Sequence, residues 1–182
     1  MTNMGTIKAD NSLQVSAANI VNRGGTIDGG NLAQITAGQD IANETVVSGV
    51  NLGQLSTTLV NQQANISAQG SLSIQAGRDI KVTGANLTAG QDLALNAGQN
   101  LQVGSQAANE RIATGYYTYD TTKNITSNIQ AGGSATLVAQ KDATLSGAQV
   151  KAGTDLTLAA GGNINLAAVK DHTLQQGLWG QA

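Results

Sequence analysis

The sequence predicts an all-β solenoid, a parallel β-helix with coils of about 21 residues. Three observations carry that reading. A phrase of the form apolar–x–Ala–Gly–x–Asp/Asn–apolar recurs at Ile35–Ile41, Ile74–Ile80, Leu87–Leu93, Leu95–Leu101, Val150–Leu156 and Leu158–Ile164. Its glycine, replaced by Gln at Gln69 and Gln140, marks the chain at Gln69, Gly77, Gly90, Gly98, Gly132, Gln140, Gly153 and Gly161, in steps of 8, 13, 8, 34, 8, 13 and 8. Eight and thirteen make 21, and 34 is one such coil plus thirteen, so register survives a stretch, roughly 111–131, that carries no phrase. Finally, the 182 residues include 23 Gly but no Phe, Pro or Cys, a composition suited to coils that each bury only a narrow strip of small side chains.

Taken from the N-terminus, the first coils are loose. Phrases near Ala9–Asp10, Gly29–Gly30 and Ala37–Gly38 fit the ruler only approximately. Asn43–Gln63 lacks the phrase but keeps Val46, Val50, Leu52, Leu55, Leu59 and Val60, and reads as a divergent coil or an insertion packed on the side. Regular coils follow. Leu72, Ile74 and Ala76, then Ile80 and Val82, alternate with period two, as do Leu93, Leu95, Ala97, Leu101 and Val103. Such alternation marks strands and not helices. The glycine between strands permits a positive φ or a close backbone approach, and the following Asp or Asn can bond nearby turn amides. The structural turn residues are therefore Gly38, Asp40, Gly77, Asp79, Gly90, Asp92, Gly98, Asn100, Gly153, Asp155, Gly161 and Asn163.

Ala107–Asn128 breaks the pattern again, either as a divergent coil or as an extruded hairpin with its turn near Tyr119–Thr122. It holds all three tyrosines. Tyr116, Tyr117, Tyr119 and Arg111 are the candidate partner contacts, set against the plainer reading that the tyrosines cover an edge of the rod. The tail carries the single His172 and the single Trp179.

Little chemistry is legible. One histidine and no cysteine build no nucleophilic triad, and no phosphate loop or metal motif is present, so no enzyme activity and no cofactor are expected. Asp79 and Asn100 stand one coil apart, which leaves no stacked carboxylate pair at that station. Calcium β-rolls use nine-residue repeats, whereas each turn here offers one carboxylate to an ion that wants six or more oxygens. A formal net charge of −2 argues against a nucleic-acid partner. No apolar run of 18 residues spans a membrane as a helix, and TNMGT after Met1 does not resemble a signal peptide. Sequons at Asn43, Asn65, Asn86 and Asn124 are what chance gives in a chain so rich in Asn and Thr.

The strings GGNLAQITAGQDI, GSLSIQAGRDIKVTGANLTAGQDLALNAGQNL and GAQVKAGTDLTLAAGGNINL resemble the haemagglutinin repeats of filamentous haemagglutinins and of the large CdiA-type contact-dependent inhibition proteins. The resemblance covers about 24–168. It implies a right-handed parallel β-helix, secreted by the two-partner route and exposed at the bacterial cell surface. It implies a structural role in adhesion or contact-dependent toxin delivery. The implied partners are neighbouring repeats of the parent protein, an outer-membrane secretion partner, and a target-cell receptor, envelope or glycan. The Tyr-rich segment 116–119 is the alternative seat of function, as a glycan- or receptor-binding module. Eight or nine coils at about 4.8 Å would give a rod of about 40 Å, with open ends suited to an end-to-end or edge dimer.

Overall fold

The structure, a computed structural model, describes residues 1–177 as strands and turns only. The first coil contains β1 (Thr2–Asn3), β2 (Thr6–Lys8) and β3 (Ser12–Ala17), and the second β4 (Ile20–Arg23), β5 (Thr26–Asp28) and β6 (Leu32–Ala37). The third opens with β7 (Ile41–Glu44), leaves the rod through β8 (Val46–Asn51) and β9 (Leu55–Gln62), and returns with β10 (Asn65–Ala68) and β11 (Ser71–Ala76). β12 (Ile80–Thr83), β13 (Asn86–Ala89) and β14 (Leu93–Ala97) form the fourth. The fifth repeats the excursion: β15 (Leu101–Gly104), then β16 (Gln106–Ala113) and β17 (Tyr117–Ile125), then β18 (Ser127–Ala131) and β19 (Ala135–Ala139). β20 (Ala143–Ser146), β21 (Ala148–Ala152) and β22 (Leu156–Ala160) make the sixth, and β23 (Ile164–Ala167) and β24 (His172–Gly177) begin the seventh.

Stacking these coils builds three parallel sheets. Sheet A runs β1-β4-β7-β12-β15-β20-β23, sheet B β2-β5-β10-β13-β18-β21, and sheet C β3-β6-β11-β14-β19-β22. The fold is thus a parallel β-helix. The two AG corners of each coil are the B-to-C and C-to-A turns, 8 residues apart because sheet C lies between them, as from Gly90 to Gly98. Equivalent side chains lie directly over one another. Val15, Ile35, Ile74, Leu95, Leu137 and Leu158 form one column along sheet C, and Ile27, Ile66, Leu87 and Ile129 part of another along sheet B. Ile66, Leu87 and Leu95 are wholly buried, each contributing about 1.5–3 kcal/mol by the usual transfer scale.

Among the described residues sheet A has 7 strands, not the eight or nine coils expected from length alone. The difference lies in the two divergent stretches, which add no layer to the rod. Leu93 pairs directly with Ala135, so the 34-residue step hides a hairpin and not a coil that has lost its phrases. Asn43–Gln63 likewise divides into one strand end inside the rod and an antiparallel hairpin, β8 with β9, outside it. With six intervals of about 4.8 Å, the stack of sheet A is about 29 Å long.

The A-to-B corner determines which coils let the chain out. In the second, fourth and sixth coils it is Gly24, Gly84 and Gly147, at φ of 66°, 58° and 62°. Here the left-handed conformation that glycine tolerates turns the chain at once into sheet B. The third, fifth and seventh coils have Thr45, Ser105 and Ala168 there, and the chain runs outward; the first coil closes through Met4 and Gly5 without a positive φ. Glycine is also needed for space. A Cβ on Gly84 would lie 2.6 Å from Cβ of Gln106 and 3.2 Å from the carbonyl of Ile125, at the base of the hairpin above it. Buried hydroxyls close the gaps beside the exits. Thr45 donates to the Gly84 carbonyl at 2.6 Å and accepts from the Ala64 amide at 3.2 Å. Ser127 donates to the Gly104 carbonyl at 2.5 Å and accepts from the Ala85 amide at 3.2 Å. Among the described residues no buried side-chain polar atom lacks a partner.

The interior also holds a polar column that the AG phrases do not mark. Asn3 donates to Asn22, and Asn22 to Asn43, each at 2.8 Å, and all three are buried. Asn22 also donates to the Gly25 carbonyl at 2.8 Å. Above Asn43 the column turns apolar, with Val82, Val103 and Leu145. The sequon at Asn43 is therefore enclosed.

Gly84→Ala is expected to lower stability by about 1–3 kcal/mol, from left-handed strain and the clash with the hairpin base. It should appear as a lower urea midpoint at unchanged slope. Gly104→Ala, whose Cβ would meet only the Ser146 carbonyl at 3.7 Å, should stay within about 0.5 kcal/mol; equal losses at both positions would refute the corner argument.

Candidate interaction surface

The two excursions and β24 join edge to edge. They form a 5-stranded antiparallel sheet, in the order β8-β9-β16-β17-β24, projecting from the A-to-B corner. All 5 strands belong to segments that carry no AG phrase.

Side chains alternate between the two faces of this sheet. One row crosses it as Leu55, Ile112, Tyr119 and Gln175, and the next as Val50, Thr57, Glu110, Thr121 and Thr173. The Thr121 and Thr173 hydroxyls lie 3.1 Å apart. The opposite face carries Asn51, Ser56, Arg111, Asp120 and Leu174 in one row. Tyr117 and Tyr119 therefore share a face with Ile112, whereas Arg111 points the other way, with its Nε 3.6 Å from Asp120. The four candidate contacts do not form one cluster. The exposed Arg111–Asp120 pair is worth at most about 1 kcal/mol.

Tyr116 belongs to neither face. The hairpin turn lies at Thr114–Tyr117, not near Tyr119–Thr122; the latter four residues are inside β17. The backbone closes by a 2.8 Å bond from the Thr114 amide to the Tyr117 carbonyl. The Thr114 hydroxyl accepts from the amides of Tyr116 at 3.4 Å and Tyr117 at 3.1 Å. A short hydroxyl side chain folding back on its own turn is the physical reason Thr suits this place. It leaves Tyr116 80% exposed, the most open large apolar side chain described. A shallow notch of about 270 Å³ beside it is lined by Thr114, Tyr116, Thr118 and Gln176 among others. Leu52, 70% exposed, occupies the tip of the first hairpin.

The turn residues serve the rod. None of Gly38, Gly77, Gly90, Gly98, Gly153 and Gly161 has a positive φ. At Gly77, Gly90, Gly98, Gly153 and Gly161 a Cβ would overlap the carbonyl oxygen of the corner one coil below. Close approach, and not left-handed backbone, is what these corners require. Gly38 differs, since its nearest neighbour would be Ala18 at an ordinary 3.8 Å. At Gln69 the close approach moves to Gly70, which lies over the Asn31 carbonyl.

The Asp and Asn side chains reach across coils. Asn19 accepts from the amide of Asp40, Asp40 from Asp79, Asp79 from Asn100, Asn100 from Asp142, and Asp142 from Asn163, at 2.7–3.4 Å. At the other corner Asp92 accepts from the Ser134 amide at 2.9 Å; Asp155 stands at the same corner in β22's approach. The first hairpin places Asp40 directly below Asp79, 39 residues away in sequence. A stacked carboxylate pair thus exists where the 21-residue ruler placed none. Arg78 answers it, holding both carboxylate oxygens of Asp40.

The hydrogen bonds and charge of Arg78 hold the Asp40 carboxyl below its ordinary value, against a smaller opposing effect of burial. Because the folded-state pKa is depressed, the pair stabilises the fold above the unfolded value near 3.8 and loses that effect as pH falls through the lowered one. Arg78→Ala should raise the Asp40 pKa in a carboxyl NMR titration, and its stability deficit should vanish in acid. A deficit that persists below the wild-type Asp40 pKa would contradict this.

Among the described residues no group of three or more His, Cys, Asp or Glu is placed to hold a metal. His172 is an exposed residue of β24, opposite Thr122. Trp179 lies outside the described residues.

Comparison with known proteins agrees with this architecture. One model of the haemagglutinin repeat matches residues 1–52 and 46–105, and a second, also described as a hemagglutinin repeat, matches 113–177. The second match runs from the tip of one hairpin through the next outgoing strand, β24. The tRNA nuclease CdiA of Escherichia coli (strain STEC_O31) is 32% identical over 120 residues, which are 65% of this chain and 4% of that protein. The chain thus corresponds to a small part of that relative's length. No solved structure matches.

Proposed function

Because the chain belongs to the haemagglutinin repeat family, we propose that it is a structural rod segment of a large secreted bacterial surface protein used in adhesion or contact-dependent toxin delivery. The observation that carries this reading is the unbroken parallel pairing from β1 to β23. Every coil hands its backbone groups to the next, and the corners repeat the same bonds, an arrangement whose product is length and stiffness. The likeness to part of a tRNA nuclease CdiA supports a toxin-carrying parent. Its nuclease activity is that protein's own and is not assigned to this chain. In this reading the neighbours are further repeats, an outer-membrane secretion partner moves the parent to the cell surface, and a target-cell receptor, envelope or glycan is met there.

The ends favour stacking. Leu156, Ile164 and Leu166 are 52%, 45% and 68% exposed, whereas their counterparts one or more coils below, such as Leu93 and Leu101, are enclosed. Because the stack is only about 29 Å long, elongation should appear in scattering as the purified chain associates through these ends at high concentration. Leu166→Lys should weaken that association in light scattering. A scattering profile and mass that do not change with concentration would sink the end contact.

A second reading, a glycan- or receptor-binding module at 116–119, is favoured by the exposure of Tyr116 at a hydrogen-bonded tip. Aromatic faces beside hydroxyls and an amide suit a sugar ring or a polar peptide. Binding of the chain to whole bacteria and to host cells, with and without Tyr116→Ala, Tyr117→Ala and Tyr119→Ala, separates the two. Loss of binding with an unchanged circular dichroism spectrum supports the module. No binding by the unmodified chain to either cell type leaves the rod alone.

A further inference from the structure

One glycine of the rod is required by neither turn nor packing. Gly104 is the last residue of β15, paired on both sides within sheet A, a place where glycine weakens a strand. Its φ is not positive. A Cβ there would meet only the Ser146 carbonyl, at an ordinary 3.7 Å. The corner glycines such as Gly77 and Gly98 lie against a carbonyl one coil below; Gly104 does not. What it supplies is room on the outer face of the sheet, and a strand glycine of that kind marks a place where something approaches the backbone closely.

The outward column through it reads Arg23, Glu44, Thr83, Gly104, Ser146 and Ala167, one residue per layer. The neighbouring outward column brings Lys81, Gln102 and Thr144 alongside. With no side chain at its centre the face is hollowed. The hollow is about 300 Å³ and is lined by Lys81, Thr83, Gln102, Gly104, Thr144 and Ser146 among others. This is the small end of the range of ligand sites, about 300–1,000 Å³. Most of the surface inside it is carbon, while its side chains bring three hydroxyls and an amide.

Lys81 is the one charged residue described in that lining. Its ammonium lies 3.1 Å from the Glu44 carboxylate, so an anionic ligand would have to compete with Glu44 for it. A carbon floor ringed by uncharged donors and acceptors suits a molecule with a C–H face and a hydroxyl edge, which is the chemistry of a neutral pyranose ring. Past Lys81 and Thr83 the hollow adjoins a second cleft of about 190 Å³, beside Arg23, Glu44 and Val47. A ring seated over Gly104 therefore has room for a linked neighbour along the rod axis.

We propose that the outer face of sheet A around Gly104 binds a neutral hexopyranose unit of a glycan. The site lies on the rod and uses none of the tyrosines, so it stands or falls apart from a binding module at 116–119.

The test is amide NMR on the isotope-labelled full chain. It is titrated with the methyl glycosides of glucose, galactose, mannose and N-acetylglucosamine, with cellobiose and lactose, and with glucuronate as the anionic comparison. At least one neutral sugar should shift the amides of Lys81–Thr83, Gln102–Ser105 and Thr144–Ser146, saturably, at millimolar concentrations and independently of added salt. Gly104→Val fills the hollow with a side chain that favours strands. It should leave the urea midpoint no lower and weaken binding by at least about tenfold. Gly104→Ala adds a single methyl group at little cost in stability and should weaken binding by a smaller factor. Tyr119→Ala should leave the shifts unchanged. No shift with any neutral sugar, shifts confined to other residues, equal affinity of both Gly104 variants and the unmodified chain, or a preference for glucuronate that salt removes would each overturn the proposal.

Discussion

The parallel backbone ladder between coils is the constraint on which the rest of this molecule depends. It fixes a rise of about 4.8 Å per coil and places each residue over its equivalent. A corner at that spacing leaves no room for a Cβ over the carbonyl beneath it, hence Gly77, Gly90, Gly98, Gly153 and Gly161. The same spacing lets a short Asx side chain reach the amide of the next coil, hence the ladder from Asn19 to Asn163. It also equals the strand spacing of an antiparallel sheet, so hairpins leaving every second coil meet as neighbours.

The rod was readable because its chemistry repeats at fixed intervals. Alternation in Leu72, Ile74 and Ala76 gave the inward face, and all three are enclosed. The second hairpin was ambiguous for an arithmetical reason. The separation from Asn100 to Asp142 is 42 residues, twice the 21 from Asp79 to Asn100. An insertion as long as one coil leaves the ruler in phase, and spacing alone does not distinguish a layer from a loop. The stacking of Asp40 and Asp79 was obscured in the opposite way, since the first hairpin puts them 39 residues apart and out of phase. One signal for both exits was present but unread: the A-to-B corner is glycine in coils that close and another residue in coils that open.

The candidate contacts illustrate what a one-dimensional reading loses. Arg111 is close to the tyrosines in sequence, yet strand alternation sends it to the far face beside Asp120. Leu55 and Ile112, far apart in sequence, meet in one row with Tyr119 because two hairpins share an edge. A surface assembled from segments about 60 residues apart has no local signature; only the coil count brings its parts together.

Near-identical coils carry a hazard of their own, because a slip by one layer would preserve almost every contact. The buried asparagine column breaks that degeneracy. Asn3, Asn22 and Asn43 mark the first three layers as polar inside, while Val82, Val103 and Leu145 mark the later ones as apolar. Shifting the stack would set an amide against a methyl group and strand its hydrogen bonds in the interior. The column therefore works as an address along an otherwise repetitive chain, telling each layer where in the sequence of layers it belongs.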